Sequence, residues 1–455
     1  MSSLSELAEK IISKLDMRGA DEVEFYGLKR KLIQASISDS KIIQITEKSI
    51  NSYGVRIAIG KRISSYSSED LSPTSIDKMI DRMIRIAKVS REDKHWKGFA
   101  RGYSMGPETE VFDEKIVKIS HEELVELISS AIELSISSAK KAGASEASVT
   151  GGNINTTIDE IMIANSHGEE ISGKVTAFNL YYYVKSSKNG KESTYNAIIT
   201  QRNLDEKKIM EEAERAGERS VKFMNVKSIK SGKYQILFMP KIMGSIIGVA
   251  LAPAFSALNI QQNRSPLKGK LGKEVLSPQI TIVDDPYIPW GYGSRNFDDE
   301  GIATTKKRTV TDGILKSILY DYYTASRENK SSTGNGVRRS LAANPQPTFI
   351  NLIVETKDKL SMDELISNIK RGIIVYDTIG QWMSNPVNGG VQATITHGLY
   401  IENGEIKHAV KGAVLGGNIY KMLKENYVGA SKTKENIENI YSPAILTSEV
   451  DVAGE

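Results

Sequence analysis

The chain has no cysteine among its 455 residues. That one absence removes disulfides, thiolate metal ligands and cysteine nucleophiles together, and it fits a reducing compartment. Histidine is scarce as well. The five are His95, His121, His167, His397 and His408, and no pair has metal-ligand spacing. A lone histidine is ordinarily a surface group or a satisfied core group, and each is read that way. No apolar run reaches the roughly 18 residues needed to cross a bilayer, and the N-terminus has no signal-peptide apolar region. The expectation is therefore a cytoplasmic protein without membrane contact. A net charge of +4 is small for this length and gives no support for nucleic-acid binding. The basic runs Lys29-Arg30-Lys31 and Lys306-Lys307-Arg308 read as solvated strand or turn faces. No Walker A motif and no G-x-S-x-G elbow occurs.

What is present is ordinary globular composition, 40% hydrophobic and 25% charged, long enough for two to three cores. The first half reads as a degenerate repeat. Leu4, Leu7, Ala8, Ile11, Ile12 and Leu15 recur at helical spacing. Strand-like sequence follows to "YGVRIAIGKRISSYSSED", then the helical "SPTSIDKMIDRMIRIAK". The second copy runs from "EELVELISSAIELSISSAKK" through "TAFNLYYYVKSS" and "GKESTYNAIIT" to "LDEKKIMEEAERAGERSVKF". Gly19 and Gly143 stand where a glycine ends a helix. Turn-rich sequence near residue 100 and again near 225–232 sets three expected units: αβ units at residues 1–100 and 101–228, and a β-rich unit at 229–455. The predicted class is α+β, with antiparallel sheets throughout.

In the last unit, Asp312-Gly313 and Asn403-Gly404 each separate two strand-like runs and tolerate the positive φ of a type I′ hairpin turn. Residues 244–258 read as a buried helix with Gly244, Gly248 and Ala252 forming a low ridge, and "KENIENI" reads as a final helix before a last strand. "HEELVE" at His121 begins like a zinc-protease motif, but no second histidine follows. Ser120 with Glu123 makes it a capping box instead. "TGNG" at residues 333–336 reads as a mobile glycine loop. The densest unusual segment spans residues 284–307. It sets Asp284, Asp285, Asp298, Asp299 and Glu300 among Tyr287, Trp290, Tyr292 and Phe297. Such a loop lines a peptide cleft or merely anchors turns. The candidates for peptide contact are Trp290, Tyr292, Arg295, Asp298, Asp299 and Glu300.

Several pieces in order, among them "YGVRIAIGKRISSYSSEDLSP", "ANSHG", "IKSGKYQILFMPKIMGSIIG", "IVDDPYIPWGYGSRNFDDEGIAT", "VTDGILKSILYDYYTA" and "GLYIENGEI", resemble the TldD/PmbA proteins, specifically the PmbA (TldE) branch. The resemblance spans nearly the whole chain. It implies a metallopeptidase family acting on small or unfolded peptides, linked to peptide-antibiotic processing and antitoxin turnover, and attached by name to modulation of DNA gyrase. In the TldD branch an HExxxH helix and a cysteine hold the metal, and the glutamate serves as base. Counted from Pro240 and Gly244, those histidine positions fall on Gly248 and Pro253, and the glutamate position on Val249. The resemblance therefore implies no metal in this chain, with zinc confined to a TldD-type catalytic partner. A stand-alone peptidase with a divergent site, or a peptide-binding homodimer, stays open as an alternative.

Overall fold

Ser3 opens the first helix. Its hydroxyl accepts from the Glu6 amide at 3.1 Å while the Glu6 carboxylate accepts from the Ser3 amide at 2.9 Å. In the computed structural model, which describes residues 3–454, the resulting helix α1 (Leu4–Met17) buries Leu4, Leu7, Ala8, Ile11 and Leu15. Each such large side chain contributes about 1.5–3 kcal/mol when fully covered. Gly19 follows at φ +88°, the left-handed position that stops the helix. Three antiparallel strands come next, β1 (Glu22–Ser38), β2 (Lys41–Ile59) and β3 (Arg62–Ser68), then α2 (Pro73–Val89). The second copy repeats the order after a short helix: α3 (Glu114–Lys118), α4 (His121–Lys141), β4 (Glu146–Asn165), β5 (Glu170–Lys188), β6 (Lys191–Gln201) and α5 (Glu206–Lys222). Both halves of the expected capping box at Ser120 and Glu123 are formed.

The two copies lie side by side. β1 pairs with β4, so their strands make one six-stranded sheet in the order β3-β2-β1-β4-β5-β6. Alternation along β1 divides its side chains between two environments. Val23 and Phe25 join Tyr53, Val55 and Ile57 of β2 in a core under α1 and α2. Glu24, Tyr26, Leu28 and Arg30 take the opposite face, which meets the rest of the chain.

That remainder opens with β7 (Gly232–Phe238) and α6 (Pro240–Ala250). The chain continues through α7 (Ala257–Gln261), β8 (Ile280–Asp284), β9 (Lys307–Thr311), β10 (Ile314–Leu315), α8 (Tyr322–Arg327), β11 (Gly336–Val337), β12 (Gln346–Pro347) and β13 (Leu352–Thr356). It ends with α9 (Met362–Ser367), β14 (Arg371–Ile379), β15 (Gly390–Glu402), β16 (Glu405–Val410), β17 (Val414–Asn418), α10 (Ile419–Leu423), β18 (Tyr427–Ile437) and β19 (Ile440–Ala453). Pairing is antiparallel except β14 with β7 and β13 with β19. Because β7 bonds both β14 and β19, strands β7, β14, β15, β17 and β19 close into a ring around an apolar core that α6 caps. Both expected hairpin turns form, with Asp312 and Asn403 at φ 48° and 51° and a positive-φ glycine after each. Among the described residues no helix is long and apolar enough to cross a membrane.

Four readings need correction. "KENIENI" is not a helix: residues 434–437 close β18 and Ile440 starts β19, with Glu438 at φ 50° in the turn. Cross-strand pairing of Ile437 with Ile440 outweighs the local helix pattern. The helix expected over 244–258 ends at Ala250; a 3₁₀ turn covers Ala252–Phe255 and α7 follows, because Pro253 supplies no amide. Its glycine ridge does serve close approach: a Cβ at Gly248 would lie 2.7 Å from Ile440 Cδ1, and one at Gly244 2.9 Å from Ile437 Cγ2. The TGNG segment is packed rather than mobile, since Asn335 is fully buried and donates to Asp284 at 2.7 Å and to the Thr348 carbonyl at 2.9 Å. Nor are both basic runs solvated. Arg30 is held by Asp159, and Lys307 by the buried Asp284.

Candidate functional site

The larger cavity, about 720 Å³, lies between the six-stranded sheet and the loops of the C-terminal half. Strand alternation builds its first wall. Leu28, Arg30 and Leu32 of β1 stand beside Thr157, Asp159 and Ile161 of β4, then Val175 and Ala177 of β5. Arg30 sits directly opposite Asp159 in the ladder and grips it with two bonds, 2.7 and 2.6 Å. The second wall comes from irregular chain: Tyr292, Gly293, Arg295 and Asp299, the segment 337–341, and Thr348 to Ile350.

Buried carboxylates hold that irregular wall in place. Asp284, 0% exposed, accepts from the Ile350 and Asn351 amides at 2.8 and 3.1 Å and from Asn335 and Lys307 side chains. Asp298 accepts from the amides of Glu300, Ile302 and Gly336 at 2.9, 3.0 and 2.8 Å. Asp299 accepts from Arg295 at 2.8 Å, from the Tyr26 hydroxyl at 3.2 Å and from the Arg338 amide at 2.8 Å. Burial, with the Asp299 charge next, pushes the Tyr26 hydroxyl far up, so it stays a donor.

The six candidate peptide contacts therefore divide. Tyr292, Arg295 and Asp299 line the large cavity. Asp298 is fully buried, its carboxyl taken up by three backbone amides, and it lines neither the larger cavity nor the one at Glu300. Glu300 accepts from the Tyr322 amide at 2.7 Å and faces a separate cavity of about 250 Å³ with Arg56 and Asp321. Trp290 works through its backbone: its amide donates to the Glu110 carbonyl at 2.9 Å and its carbonyl accepts from the Arg202 amide at 3.1 Å. Residue-by-residue reading missed Arg30, Asp159, Arg202, Arg338 and Arg339 as cavity residues. Only the period-2 alternation of β1 and β4 carried a signal for the first two; for the arginines on irregular chain there was none.

A second cavity, about 430 Å³, adjoins the first; Arg339, Thr348, Phe349 and Asn439 line both. Its other walls include Gly248 and Val249 of α6, Pro253 of the 3₁₀ turn, and Glu438 to Ile440 of the terminal hairpin. The three positions that the resemblance aligns with a metal site thus meet at one cavity. The donors there are hydroxyls, amides and the single carboxylate of Glu438. That set does not fit a tetrahedral zinc ion, which takes imidazole, thiolate or several carboxylates. Among the described residues no group of three or more histidine, cysteine, aspartate or glutamate side chains is placed to hold a metal. The histidines bond elsewhere: His397 Nε2, for example, lies 2.6 Å from the Thr194 carbonyl.

Three family models match in succession. They are described as PmbA/TldA metallopeptidase domain 1 at residues 23–87, the central domain at 114–223 and the C-terminal domain at 231–454. A metalloprotease from Methanocaldococcus jannaschii is 29% identical over 399 residues, covering 85% of each chain. The metalloprotease PmbA of Escherichia coli is 24% identical over 457 residues, 99% of this chain and 96% of that one. The crystal structure of TldE from Thermococcus kodakarensis superposes with a TM-score of 0.86 at 25% identity, covering 98% of this chain and 100% of that one.

Proposed function

The chain belongs to the PmbA/TldA metallopeptidase family, and from that premise we propose that it is a PmbA/TldE-like, non-catalytic subunit of a TldD-type metallopeptidase complex acting on small or unfolded peptides. The observation that carries this reading is the second cavity. It stands where the resemblance puts the family's metal, yet Gly248, Val249 and Pro253 bring it no ligand and no base. Without imidazole or thiolate donors no water is activated there, so hydrolysis comes from a partner. The larger cavity, with cationic, acidic and aromatic groups on its walls, supports a role in holding peptide.

The test mixes this chain with a TldD-type chain bearing HExxxH. Co-elution on size exclusion and peptidase activity above that of either chain alone are expected, with zinc in the partner only. Stoichiometric zinc in this chain when purified alone, with chelator-sensitive cleavage of unstructured peptides, would overturn the reading and favour a stand-alone peptidase. Elution as a homodimer with no association would favour the peptide-binding alternative.

A further inference from the structure

Five arginines line the larger cavity against two carboxylates. Arg30 is paired with Asp159, Arg295 with Asp299, and Arg338 with Glu24 behind the wall, a carboxylate that Arg56 shares. Arg339 is exposed at the junction of the two cavities. Arg202 is different. It is only 8% exposed, and among the described residues no carboxylate lies within ion-pair distance of it. Nη1 donates to the Thr176 carbonyl at 3.3 Å, while the buried Nε has no hydrogen-bond partner. The guanidinium carbon sits 5.5 Å from the centre of the Tyr292 ring. Burial first, then the Arg295 charge, pulls its pKa down to about 10, the mark of a cation whose surroundings do not compensate it. A buried charge left unpaired is costly, and a cation in a cavity wall calls for a counter-charge from the cavity side.

We propose that Arg202 anchors a carboxylate subsite in this cavity, which takes the C-terminal carboxylate of a short peptide. The planar fork of an arginine matches the planar carboxylate. A peptide fixed at Arg202 has a path along the shared wall of Arg339, Thr348 and Phe349 toward the cavity at Gly248. The inference rests on the peptide-holding half of the proposed function and not on the subunit role. Loss of partner association would sink that role and leave this site standing.

The test is calorimetric titration of the full chain, alone, with acetyl-pentaalanine as the free acid, with its C-terminally amidated twin, and with inorganic phosphate. A charge-assisted pair in a desolvated site should make the free acid bind about ten- to a hundredfold more tightly than the amide. Arg202→Gln should bring the two peptides within about twofold of each other, and Arg82→Gln, exposed on α2 and lining neither cavity, should keep the preference for the acid. Equal binding of acid and amide by the native chain overturns the proposal, as does binding of neither. A preference that survives in R202Q also overturns it, and so does phosphate binding while the free acid does not. Should R202Q fail to fold, Arg202→Lys serves in its place: it keeps the charge, loses the fork, and should lower the preference.

Discussion

Glu24→Gln tests how the two halves are held together. Glu24 lies on β1, 1% exposed, and a single carboxylate serves two guanidiniums. Arg56 of β2 donates to it through Nε and Nη2 at 2.9 and 2.7 Å, and Arg338, just after β11, donates through Nη2. Each arginine then grips the loop at 338–344. Arg56 donates to Asn344 at 3.1 Å, and Arg338 donates to the Ala343 carbonyl at 3.2 Å and the Asp299 carbonyl at 3.1 Å. The amide keeps the shape and removes the charge, leaving two buried cations facing a neutral group. Removing one partner of a buried pair costs about 3–5 kcal/mol, and the nearby Asp299 charge, which also acts on Arg338, puts the expected loss at the lower end, about 3 kcal/mol.

Protonation gives a second handle on the same group. Burial raises the Glu24 pKa, but Arg338 and Arg56 together outweigh it and hold the carboxyl below its usual range. A depressed folded pKa means stability that is present above the unfolded value, near 4.5, and lost as pH falls through the folded one. The cost of E24Q is therefore full at pH 7 and shrinks in strong acid. Urea unfolding followed by tryptophan fluorescence measures it, with proteolysis at 338–344 reporting whether the loop is released. A loss under about 1 kcal/mol at neutral pH, or one that does not shrink in acid, would refute the reasoning.

Gly54→Ala attacks the same junction sterically: its Cβ would stand 2.1 Å from the Leu341 carbonyl oxygen and 2.3 Å from the carbonyl carbon. Backbone cannot yield there cheaply, so a loss above about 2 kcal/mol is expected. Thermal melts of G54A, E24Q and the double variant should be less than additive, since either change frees the same loop. Separately, burial pushes Asp298 up to about 7 despite three backbone amides, and burial, then Asp321 and Asp298, raises Glu300 well above its usual range. Carboxyls with raised folded pKa values contribute stability that is full below their unfolded range and lost as pH rises through the folded values. The melting temperature should therefore drop between pH 5 and pH 8, and Glu300→Gln, which still accepts from the Tyr322 amide, should flatten that slope; an unchanged slope would contradict this origin.

Legibility followed periodicity. The N-terminal repeat was readable because α1, α2, α4 and α5 each carry a 3.6-residue apolar stripe and the strands between them alternate. Hairpins at Asp312-Gly313 and Asn403-Gly404 were readable from turn chemistry alone. The terminal hairpin was not, since residues 434–440 alternate too weakly to compete locally with a charged helical pattern; pairing with β19 decides it. At the site, Tyr292, Arg295 and Asp299 stood out by composition. Arg202 did not, because its significance lies in which carboxylates are missing around it after folding, and a one-dimensional pattern does not carry that.

The segment around Gly248 is shaped by the hairpin packed against it as well as by residue identity. A Cβ at Gly248 would come within 2.7 Å of Ile440 Cδ1, so a side chain there requires that flexible tip to swing aside. Pro253 stands beyond the end of α6, in a 3₁₀ turn, so positions 248 and 253 do not share one continuous helix. Gly244 and Gly248 admit the terminal hairpin and Pro253 stands past the helix end, so the segment helps to hold the C-terminal ring together. The cavity beside it survives because its remaining walls, Thr348 and Phe349 above all, belong equally to the larger cavity and are held by Asp284 and Asn335.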